Sequence, residues 1–224
     1  MSKDYRLIIF DWDGTLSNSV TRIVESMHHA IAQMGWPARQ DNEIANIIGL
    51  GLPEALRILY PEIETADLEQ MRVSYSQQFI NGYDSPSPLY EGVEESLQQL
   101  LGSGYMLAVA TGKSRRGMER IFRDTDWQQY FAAFRCADET RSKPHPLMLH
   151  ELMQELTVPV DQVLMVGDSE YDLEMAANAG VDSAAVSYGV HGLDRLRRHR
   201  PKFEVDSIAE LTAGLVETVT WKEC

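Results

Sequence analysis

Residues 7–16 read Leu-Ile-Ile-Phe-Asp-Trp-Asp-Gly-Thr-Leu, an apolar run that stops abruptly at acidic residues. The short run of β-forming residues predicts a buried strand over Leu7–Phe10, with Asp11 at its carboxyl end. Side chains alternate along an extended backbone, so Asp11 and Asp13 are expected on the same side. Gly14 then allows the chain to turn sharply. Two carboxylates are therefore predicted to converge at the end of one strand.

The simplest alternatives at this position are a turn with solvated aspartates and a calcium loop of the Asp-x-Asp-Gly type. A calcium loop needs further oxygen ligands at regular spacing and its glycine at the sixth position. Here the glycine is fourth, and Thr15, Leu16 and Ser17 follow. The pattern argues against a calcium loop.

Strands and helices alternate along the chain after residue 88. Apolar runs predict strands at 106–110, 131–135, 163–166 and 181–186, and helical periodicity predicts helices at 93–101, 114–122, 146–156, 170–179 and 207–216. This order predicts an α/β fold, a Rossmann-like parallel sheet with helices on both faces. Ligands of such sheets bind outside the carboxyl ends of the strands, so residues at those ends are the candidates for function.

Residues 17–85 have helical periodicity and no convincing strand. Helices are predicted over 20–34, 41–48, 53–60 and 66–79. A Pro/Ser-rich connector suited to a hinge follows at 84–88. The sequence therefore predicts a small all-helical unit, 17–85, inserted after the first strand into a core formed by 1–16 and 86–224.

Composition limits the classes of partner. The 224-residue chain carries a formal net charge of −14, which disfavours nucleic acid and anionic membrane surfaces, since both attract Lys and Arg. No apolar run approaches the ~20 residues that a membrane helix needs. Two cysteines far apart, Cys136 and Cys224, form no disulfide framework. A cytoplasmic protein is expected, and its oligomeric state is left open.

Two polar elements in the second half of the chain are candidate anion-binding groups. Thr111-Gly112 ends the predicted strand 106–110 and opens a helix, where a hydroxyl and free backbone N–H groups bind anions. A Thr N-cap explains this pair equally well. Lys143 precedes Pro144 in a protein with only five lysines. It is a candidate counter-charge for a phosphate, with an ordinary surface lysine as the alternative.

A third element, Gly167-Asp168-x-x-x-Asp172, follows the predicted strand 163–166. If a helix begins near Ser169, Asp168 and Asp172 lie one turn apart and face the same way. An N-cap aspartate and a favourable helix dipole are the simpler explanation. That explanation does not account for acidic residues at this strand end as well as at the end of the first strand.

The combination is far more specific than its parts. In chain order the elements are Asp11-Trp12-Asp13-Gly14-Thr15-Leu16, Thr111-Gly112, Lys143-Pro144 and Gly167-Asp168-x-x-x-Asp172. With the predicted topology, nearly the whole chain resembles the haloacid dehalogenase-like superfamily of hydrolases. The helical insertion resembles the small cap of its phosphoglycolate phosphatase-like branch. Ile48-Gly49-Leu50-Gly51-Leu52 is similar to the cap loop of that branch, and Leu89-Tyr90-Glu91-Gly92-Val93 to the segment that re-enters the core.

This resemblance implies a phosphatase that hydrolyses a small phosphorylated metabolite through an aspartyl-phosphate. Asp11 would attack phosphorus. Asp13 would protonate the leaving oxygen and then activate water. Thr111, the Gly112 amide and Lys143 would hold the phosphoryl oxygens.

The resemblance also implies Mg²⁺ as the cofactor, a cation that prefers oxygen ligands. The expected ligands are the Asp11 carboxylate, the Asp13 main-chain carbonyl and Asp168. Asp172 would be either a further ligand or a residue that supports the ligands from behind.

The cap is expected to select the substrate. The loop predicted to reach over the phosphate comprises Gly49, Leu50 and Gly51. Weaker candidates, each more often a surface residue, are Arg22, His28, His29 and Arg57.

Enzymes with several different reactions share this fold, and the sequence favours some of these reactions over others. A dehalogenase has no leaving alcohol to protonate, so Asp13 argues against one. A phosphonate hydrolase of the family uses a cap lysine, and no lysine lies between Asp13 and Thr111. A phosphomutase stays open. So does a non-catalytic phosphometabolite-binding protein, although such a protein would be expected to have lost one of these side chains. The basic cluster Arg195–Arg200 is interpreted as a solvated helix face.

Overall fold

The computed structural model describes residues 5–220. Its strands are β1 (Leu7–Phe10), β2 (Met106–Thr111), β3 (Ala133–Cys136), β4 (Val163–Gly167), β5 (Asp182–Val186) and β6 (Phe203–Val205). They form one sheet in the order β3-β2-β1-β4-β5-β6, and all neighbouring pairs are parallel. Successive strands are added on one side of β1 up to β3 and on its other side from β4 onward. Sheets of this kind bind ligands at such a switch point. The predicted α/β fold class is confirmed.

Helices connect the strands and cover both faces of the sheet. They are α1 (Val20–Met34), α2 (Asp41–Ala45), α3 (Leu52–Leu59), α4 (Thr65–Asn81), α5 (Val93–Gly102), α6 (Arg115–Asp124), α7 (Leu147–Leu156), α8 (Glu170–Ala179), α9 (Leu193–Leu196) and α10 (Ile208–Thr220). Buried residues of α5, α6 and α10 pack on one face, and those of α7 and α8 on the other. None of the helices between residues 5 and 220 combines the length and apolarity required to cross a bilayer.

Strand β1 lies at the centre of both cores. Ile8 and Phe10 belong to one apolar cluster, whereas Leu7 and Ile9 belong to the other, and all four side chains are fully buried. Burying such a side chain contributes roughly 1.5–3 kcal/mol. This double burial explains why the strand is a continuous apolar run, and it fixes the position of Asp11.

The inserted helices α1–α4 have an apolar cluster of their own. It is built around Met27, Ile31, Ile44, Leu56 and Met71. Helix α1 contributes through one apolar face and ends at Gly35, whose φ of +67° suits the left-handed C-cap. The division into a core of 1–16 and 86–224 and a helical unit of 17–85 stays a prediction.

The predicted elements differ from the observed ones mainly at their ends. Helix α2 stops at Ala45 instead of residue 48, and β3 begins at Ala133 instead of residue 131. Strand β6 was not predicted, because it has only three residues and Val205 is its only buried side chain. An edge strand of this length leaves almost no periodic signal.

Candidate functional site

The register of the sheet brings three strand ends together. The last residue of β1 pairs with Val109 of β2 and with Val166 of β4. The N–H of Asp11 continues this pairing by donating to the main-chain oxygen of Val166 at 2.9 Å. Asp11, Thr111 and Asp168 therefore lie at the same edge of the sheet, where parallel sheets bind ligands.

Asp11 and Asp13 are both buried, on either side of Trp12 in the sequence. Trp12, between them, is buried and packs edge-on against Phe122, with ring centroids 5.8 Å apart. The main-chain oxygen of Trp12 accepts the N–H groups of Leu16 and Ser17, which closes the turn after the strand.

Lys143 is enclosed between two carboxylates. Its Nζ donates to Oδ1 of Asp11 at 2.5 Å and to Oδ1 of Asp172 at 2.6 Å. The three side chains are at most 1% exposed. The alternative of an ordinary surface lysine is therefore wrong.

Asp168 is held by hydrogen bonds to both of its oxygens. Oδ1 accepts from Oγ1 of Thr15 at 2.9 Å, and Oδ2 accepts from the N–H of Val190 at 2.8 Å. The backbone approaches so closely that a Cβ on Gly14 would lie 2.2 Å from Oδ2, and one on Gly189 would lie 2.3 Å from it. Only glycine fits these two positions.

Asp172 joins the start of α8 to the charged cluster. Its Oδ2 accepts from the N–H and the Oγ of Ser169, at 3.1 Å and 2.6 Å, in a capping box. Ser169 is the N-cap of the helix, so the simpler explanation of Asp168 as an N-cap is wrong.

Burial and mutual repulsion shift the titration of this cluster. Burial raises the pKa of Asp11 well above its usual range; Lys143 opposes the rise, and Asp172 and Asp168 add to it. Burial, and next to it the Asp172 charge, raises the pKa of Asp168 to about 7. Burial alone would lower the pKa of Lys143, but Asp11 and Asp172 raise it above its ordinary value. Lys143 is therefore a permanent cation.

The charge balance of the cluster fits a divalent cation. One oxygen from each of Asp11, Asp168 and Asp172 lies within 4.8 Å of the others. When all three carboxylates are ionised, the ammonium of Lys143 compensates only one of their three negative charges, and without a cation this excess contributes to the raised pKa values of Asp11 and Asp168. Oδ2 of Asp11 is also buried with no hydrogen-bond partner between residues 5 and 220. A buried charged oxygen without a partner is costly, and an oxygen-preferring cation such as Mg²⁺ would satisfy it.

The Asp13 carboxylate has different partners. Its Oδ1 accepts from Oγ of Ser19 at 2.5 Å and lies 2.9 Å from Nζ of Lys113. Both donors use the same oxygen, so Oδ2 is left for another partner. The contacts of the Asp13 side chain are thus separate from those of the Asp11 cluster, and its role in proton exchange stays a prediction.

The predicted cap loop lies against the end of β2. A Cβ on Gly112 would lie 2.4 Å from the main-chain oxygen of Leu50 and 2.7 Å from that of Gly49. On the other side of the loop, the N–H of Gly51 donates to Oγ of Ser142, next to Lys143, at 2.8 Å. The structure brings the loop and the predicted phosphate-binding strand end together; contacts of these residues with a ligand stay predictions.

Thr111, the other predicted phosphate ligand at this strand end, is fully buried. Its Oγ1 accepts from the N–H of Lys113 at 3.1 Å. It is the last residue of β2, whereas the N-cap of α6 is Ser114, whose Oγ accepts the N–H of Gly117. The alternative of Thr111 as an N-cap is therefore wrong.

A second contact between the insertion and the core centres on Asn46. Its main-chain oxygen accepts from the Tyr171 hydroxyl at 3.0 Å and lies 3.2 Å from Nε2 of His191. Its Oδ1 accepts from Arg195, which also pairs with Glu170. We call Asn46, Tyr171, His191 and Arg195 the Asn46 clamp. The interpretation of Arg195–Arg200 as a solvated face is wrong for Arg195, which is half-buried in this clamp.

The four weaker substrate candidates have other contacts. Arg22 donates to the main-chain oxygens of Phe79 and Ser85. His28 pairs with Asp41 within the insertion at 2.7 Å. The two remaining side chains, His29 and Arg57, are exposed. The structure gives none of the four a contact with the strand-end carboxylates.

Four residues of the site were not predicted. Thr15 and Val190 hold Asp168, whereas Ser19 and Lys113 hold Asp13. Lys113 had a usable signal, because it follows Thr111-Gly112 directly in a lysine-poor chain. Val190 contributes only its backbone N–H, which no residue type reveals.

Comparison with known proteins agrees with this geometry. The family described as haloacid dehalogenase-like hydrolase matches residues 8–186. A phosphoglycolate phosphatase of Vibrio parahaemolyticus is 30% identical over 217 residues, which cover 93% of this chain and 95% of that protein. Pyrophosphatase PpaX of Bacillus cereus is 29% identical over 205 residues, covering 91% and 93%.

Among solved structures, a haloacid dehalogenase-like hydrolase from Bacteroides fragilis superposes with a TM-score of 0.85 at 25% identity, covering 92% of this chain and 99% of that one. A phosphoglycolate phosphatase from Haemophilus somnus gives a TM-score of 0.80 at 25% identity, covering 95% and 99%. The family match, residues 8–186, includes the helical insertion and the strand ends that carry the acidic cluster. This chain is a member of the haloacid dehalogenase-like hydrolase family, and its relatives include phosphatases.

Proposed function

We propose that this protein is a Mg²⁺-dependent phosphatase that hydrolyses a small phosphorylated metabolite through an aspartyl-phosphate on Asp11. The observation that carries the proposal is the state of Asp11 itself. One oxygen is fixed by Lys143 at 2.5 Å, and the other is buried without a hydrogen-bond partner between residues 5 and 220. A carboxylate that is fixed but not fully satisfied is suited to nucleophilic attack.

The first half of the reaction forms the covalent intermediate. A carboxylate oxygen of Asp11 attacks phosphorus, and the bond from phosphorus to the leaving oxygen breaks with its electron pair going to that oxygen. Asp13 gives its proton to the same oxygen, so that oxygen departs as a hydroxyl group. General acid help of this kind is worth typically ~10²–10⁴-fold.

The second half restores the enzyme. Asp13, now ionised, accepts a proton from water as the water oxygen attacks phosphorus. The bond from phosphorus to Asp11 breaks, and its electron pair returns to the carboxylate. Ser19 and Lys113 keep the Asp13 carboxylate at one position through both proton transfers.

The phosphoryl oxygens are bound by Thr111, the Gly112 amide and Lys143. The Asp11 and Asp168 carboxylates and the Asp13 main-chain carbonyl would hold Mg²⁺, with Asp172 behind them. When bound, the ion supplies charge stabilisation for the phosphoryl group during transfer. The charge balance of the cluster, described above, supports this assignment.

Residues 17–85 act as a cap in this proposal, with the Gly49–Gly51 loop over the phosphate. Closing a cap of this kind excludes water from the first half of the reaction. The substrate is a small metabolite, since the loop lies directly against Gly112. We further propose a cytoplasmic location; in keeping with this, Cys136 is free and buried, whereas Cys224 lies outside the described residues.

The test is turnover of p-nitrophenyl phosphate and of a panel of phosphorylated metabolites with Mg²⁺ and with EDTA. Wild type should turn over at least one compound only with the metal, and Asp11→Asn should lose activity by several orders of magnitude. Asp194→Asn, an exposed carboxylate, is the matched control and should keep full activity. Equal rates for wild type and Asp11→Asn would refute the proposal. Binding of panel compounds without turnover would favour a non-catalytic binding protein. Transfer of phosphate between two positions of a sugar would favour a phosphomutase.

A further inference from the structure

Lys113 is a partly buried cation that the proposed chemistry uses only as a support. Of the three lysines between residues 5 and 220, Lys143 and Lys113 lie in the site and Lys202 is exposed. The Lys113 side chain is 11% exposed, and its Nζ lies 2.9 Å from Oδ1 of Asp13. Ser19 already donates to the same oxygen at 2.5 Å. A second donor to one oxygen is more than is needed to orient Asp13.

The position of Lys113 defines which part of a substrate it can reach. Asp13 exchanges its proton with the leaving oxygen, so the leaving group must lie beside Asp13. Within residues 5–220, Asp13 is the one ion-pair partner of the Lys113 ammonium, which has two further protons to donate. It is therefore a cation on the leaving-group side, whereas Lys143 is the cation on the phosphoryl side.

The surroundings of Lys113 keep its charge effective. Its Nζ lies over the ring of Phe79, 4.6 Å from the centroid, and the Phe79 ring stacks with Tyr75 at 5.9 Å. Charges in such a partly desolvated, aromatic environment are screened far less than at the surface. Arg22 lies over the same Phe79 ring at 4.6 Å. Its hydrogen bonds go to main-chain carbonyls, which do not neutralise it.

We propose that Lys113 binds a second anionic group, a carboxylate or a phosphate, carried by the leaving group of the substrate. This inference rests on the proposed phosphatase function and narrows its substrate class. In this inference Lys113 determines the specificity for the substrate. The Phe79 ring of the insertion, stacked with Tyr75, lies against its ammonium group. The substrates that name the two relatives above, phosphoglycolate and pyrophosphate, both have a leaving group of this kind.

A purely supportive role for Lys113 makes a different prediction. If the lysine only orients Asp13, its loss slows every substrate by the same factor, because each needs a proton on its leaving oxygen. If it binds the leaving group, its loss slows anionic leaving groups selectively. The ratio of kcat/KM values between matched substrates therefore separates the two roles.

The experiment compares 2-phosphoglycolate and pyrophosphate with 2-hydroxyethyl phosphate, which replaces the carboxylate of phosphoglycolate by a neutral hydroxymethyl group. A hydrogen bond between charged groups is worth about 1.5–3 kcal/mol, or roughly 10–100-fold in kcat/KM. Lys113→Met should lower the ratio of anionic to neutral substrate by that factor. Lys113→Arg should restore part of it, and Lys202→Met, an exposed control, should leave it unchanged. A fall for only one anionic substrate identifies carboxylate or phosphate as the group bound.

An equal fall for all three substrates would overturn the inference and leave Lys113 as a support of Asp13. A wild-type enzyme that prefers 2-hydroxyethyl phosphate would overturn it as well, while the phosphatase function would stand. Wild type without activity on any phosphate ester would instead overturn the proposed function, and this inference with it. Thermal unfolding of each variant identifies a folding defect, and Lys113→Gln then replaces Lys113→Met in the same comparison.

Discussion

Nζ of Lys143 lies 2.5 Å from Oδ1 of Asp11, and neither side chain is more than 1% exposed. This contact joins the carboxyl end of β1 to a loop 132 residues further along the chain. The same ammonium group binds Asp172 at 2.6 Å. Lys143 is thus the common counter-charge of two buried acids.

Replacing Lys143 by Met should destabilise the metal-free protein. Two buried carboxylates would lose their shared partner, and breaking a buried ion pair in this way costs about 3–5 kcal/mol. Urea unfolding in EDTA measures the change in the free energy of unfolding. Lys202→Met removes an exposed lysine and should change it by less than about 0.5 kcal/mol. A similarly small effect for Lys143→Met would contradict the prediction.

The raised pKa of Asp168 predicts the pH dependence of stability without metal. Burial raises it to about 7, above the ordinary value near 3.9. Between these pH values the folded protein binds more protons than the unfolded chain, so stability falls as pH rises. For one carboxyl the slope is at most about 1.4 kcal/mol per pH unit. Unfolding in EDTA between pH 5 and 8 measures this slope.

Asp168→Asn should flatten that slope, because the amide does not titrate. Asp11 shares the burial and adds to the slope, so a residual dependence is expected. Stability of the metal-free wild type that rises from pH 5 to pH 8 would contradict the prediction.

Loss of Asp168 should also abolish tight Mg²⁺ binding. Calorimetric titration of Mg²⁺ into wild type and Asp168→Asn should differ by about 100-fold or more in affinity, since even supporting residues of metal sites cost 10–100-fold. The exposed Asp194→Asn serves as the control for charge. Equal Mg²⁺ affinity of the two aspartate variants would place the cation elsewhere.

Gly112→Ala should push the cap loop away from the strand end. The new Cβ would lie 2.4 Å from the main-chain oxygen of Leu50, a distance that only a backbone shift relieves. A misplacement of about 1 Å in a catalytic site can cost roughly 100-fold, so kcat/KM should fall by about 10–100-fold. Gly102→Ala, where a Cβ meets nothing within 4 Å, is the matched control. Unchanged kinetics for Gly112→Ala would show that the loop stands clear of Gly112 during turnover.

Properties that depend on a local run of residues could be predicted from the sequence, whereas properties that depend on contacts between distant residues could not. Parallel strands end at one edge, so apolar runs followed by Asp11, Thr111 and Asp168 predicted where these residues meet. Lys143 was ambiguous, because burial between Asp11 and Asp172 follows only from the folded chain. The pairing of Lys113 with Asp13 was missed for the same reason, since it joins the ends of two different strands.

Arg195 is a residue for which the local sequence pattern led to a wrong interpretation. Within a run of basic residues it has the pattern of a solvated helix face, and its exposed neighbours Arg197 and Arg198 fit that pattern. Its partner Asn46 lies 149 residues away, in the inserted helices. Periodicity reports which face of a helix is apolar, and it carries no information on which distant polar group meets the other face.

The Asn46 clamp should control how firmly the insertion rests on the core. Arg195→Met removes a charged partner of Asn46 and the arginine partner of Glu170, whereas the hydrogen bonds from Tyr171 and His191 to Asn46 remain. Amide hydrogen exchange over residues 46–51 should therefore become faster, since local opening costs less free energy. KM should rise, because the cap loop closes less often over substrate.

The matched control is Arg198→Met, an exposed arginine in the same basic run. It removes the same charge and should change neither the exchange of residues 46–51 nor KM. If amide exchange became faster along the whole chain in both variants, Arg195→Met and Arg198→Met, the cause would be a general loss of stability. Exchange that is unchanged in Arg195→Met would mean that Tyr171 and His191 suffice, because two hydrogen bonds to one main-chain oxygen then hold the insertion without the arginine.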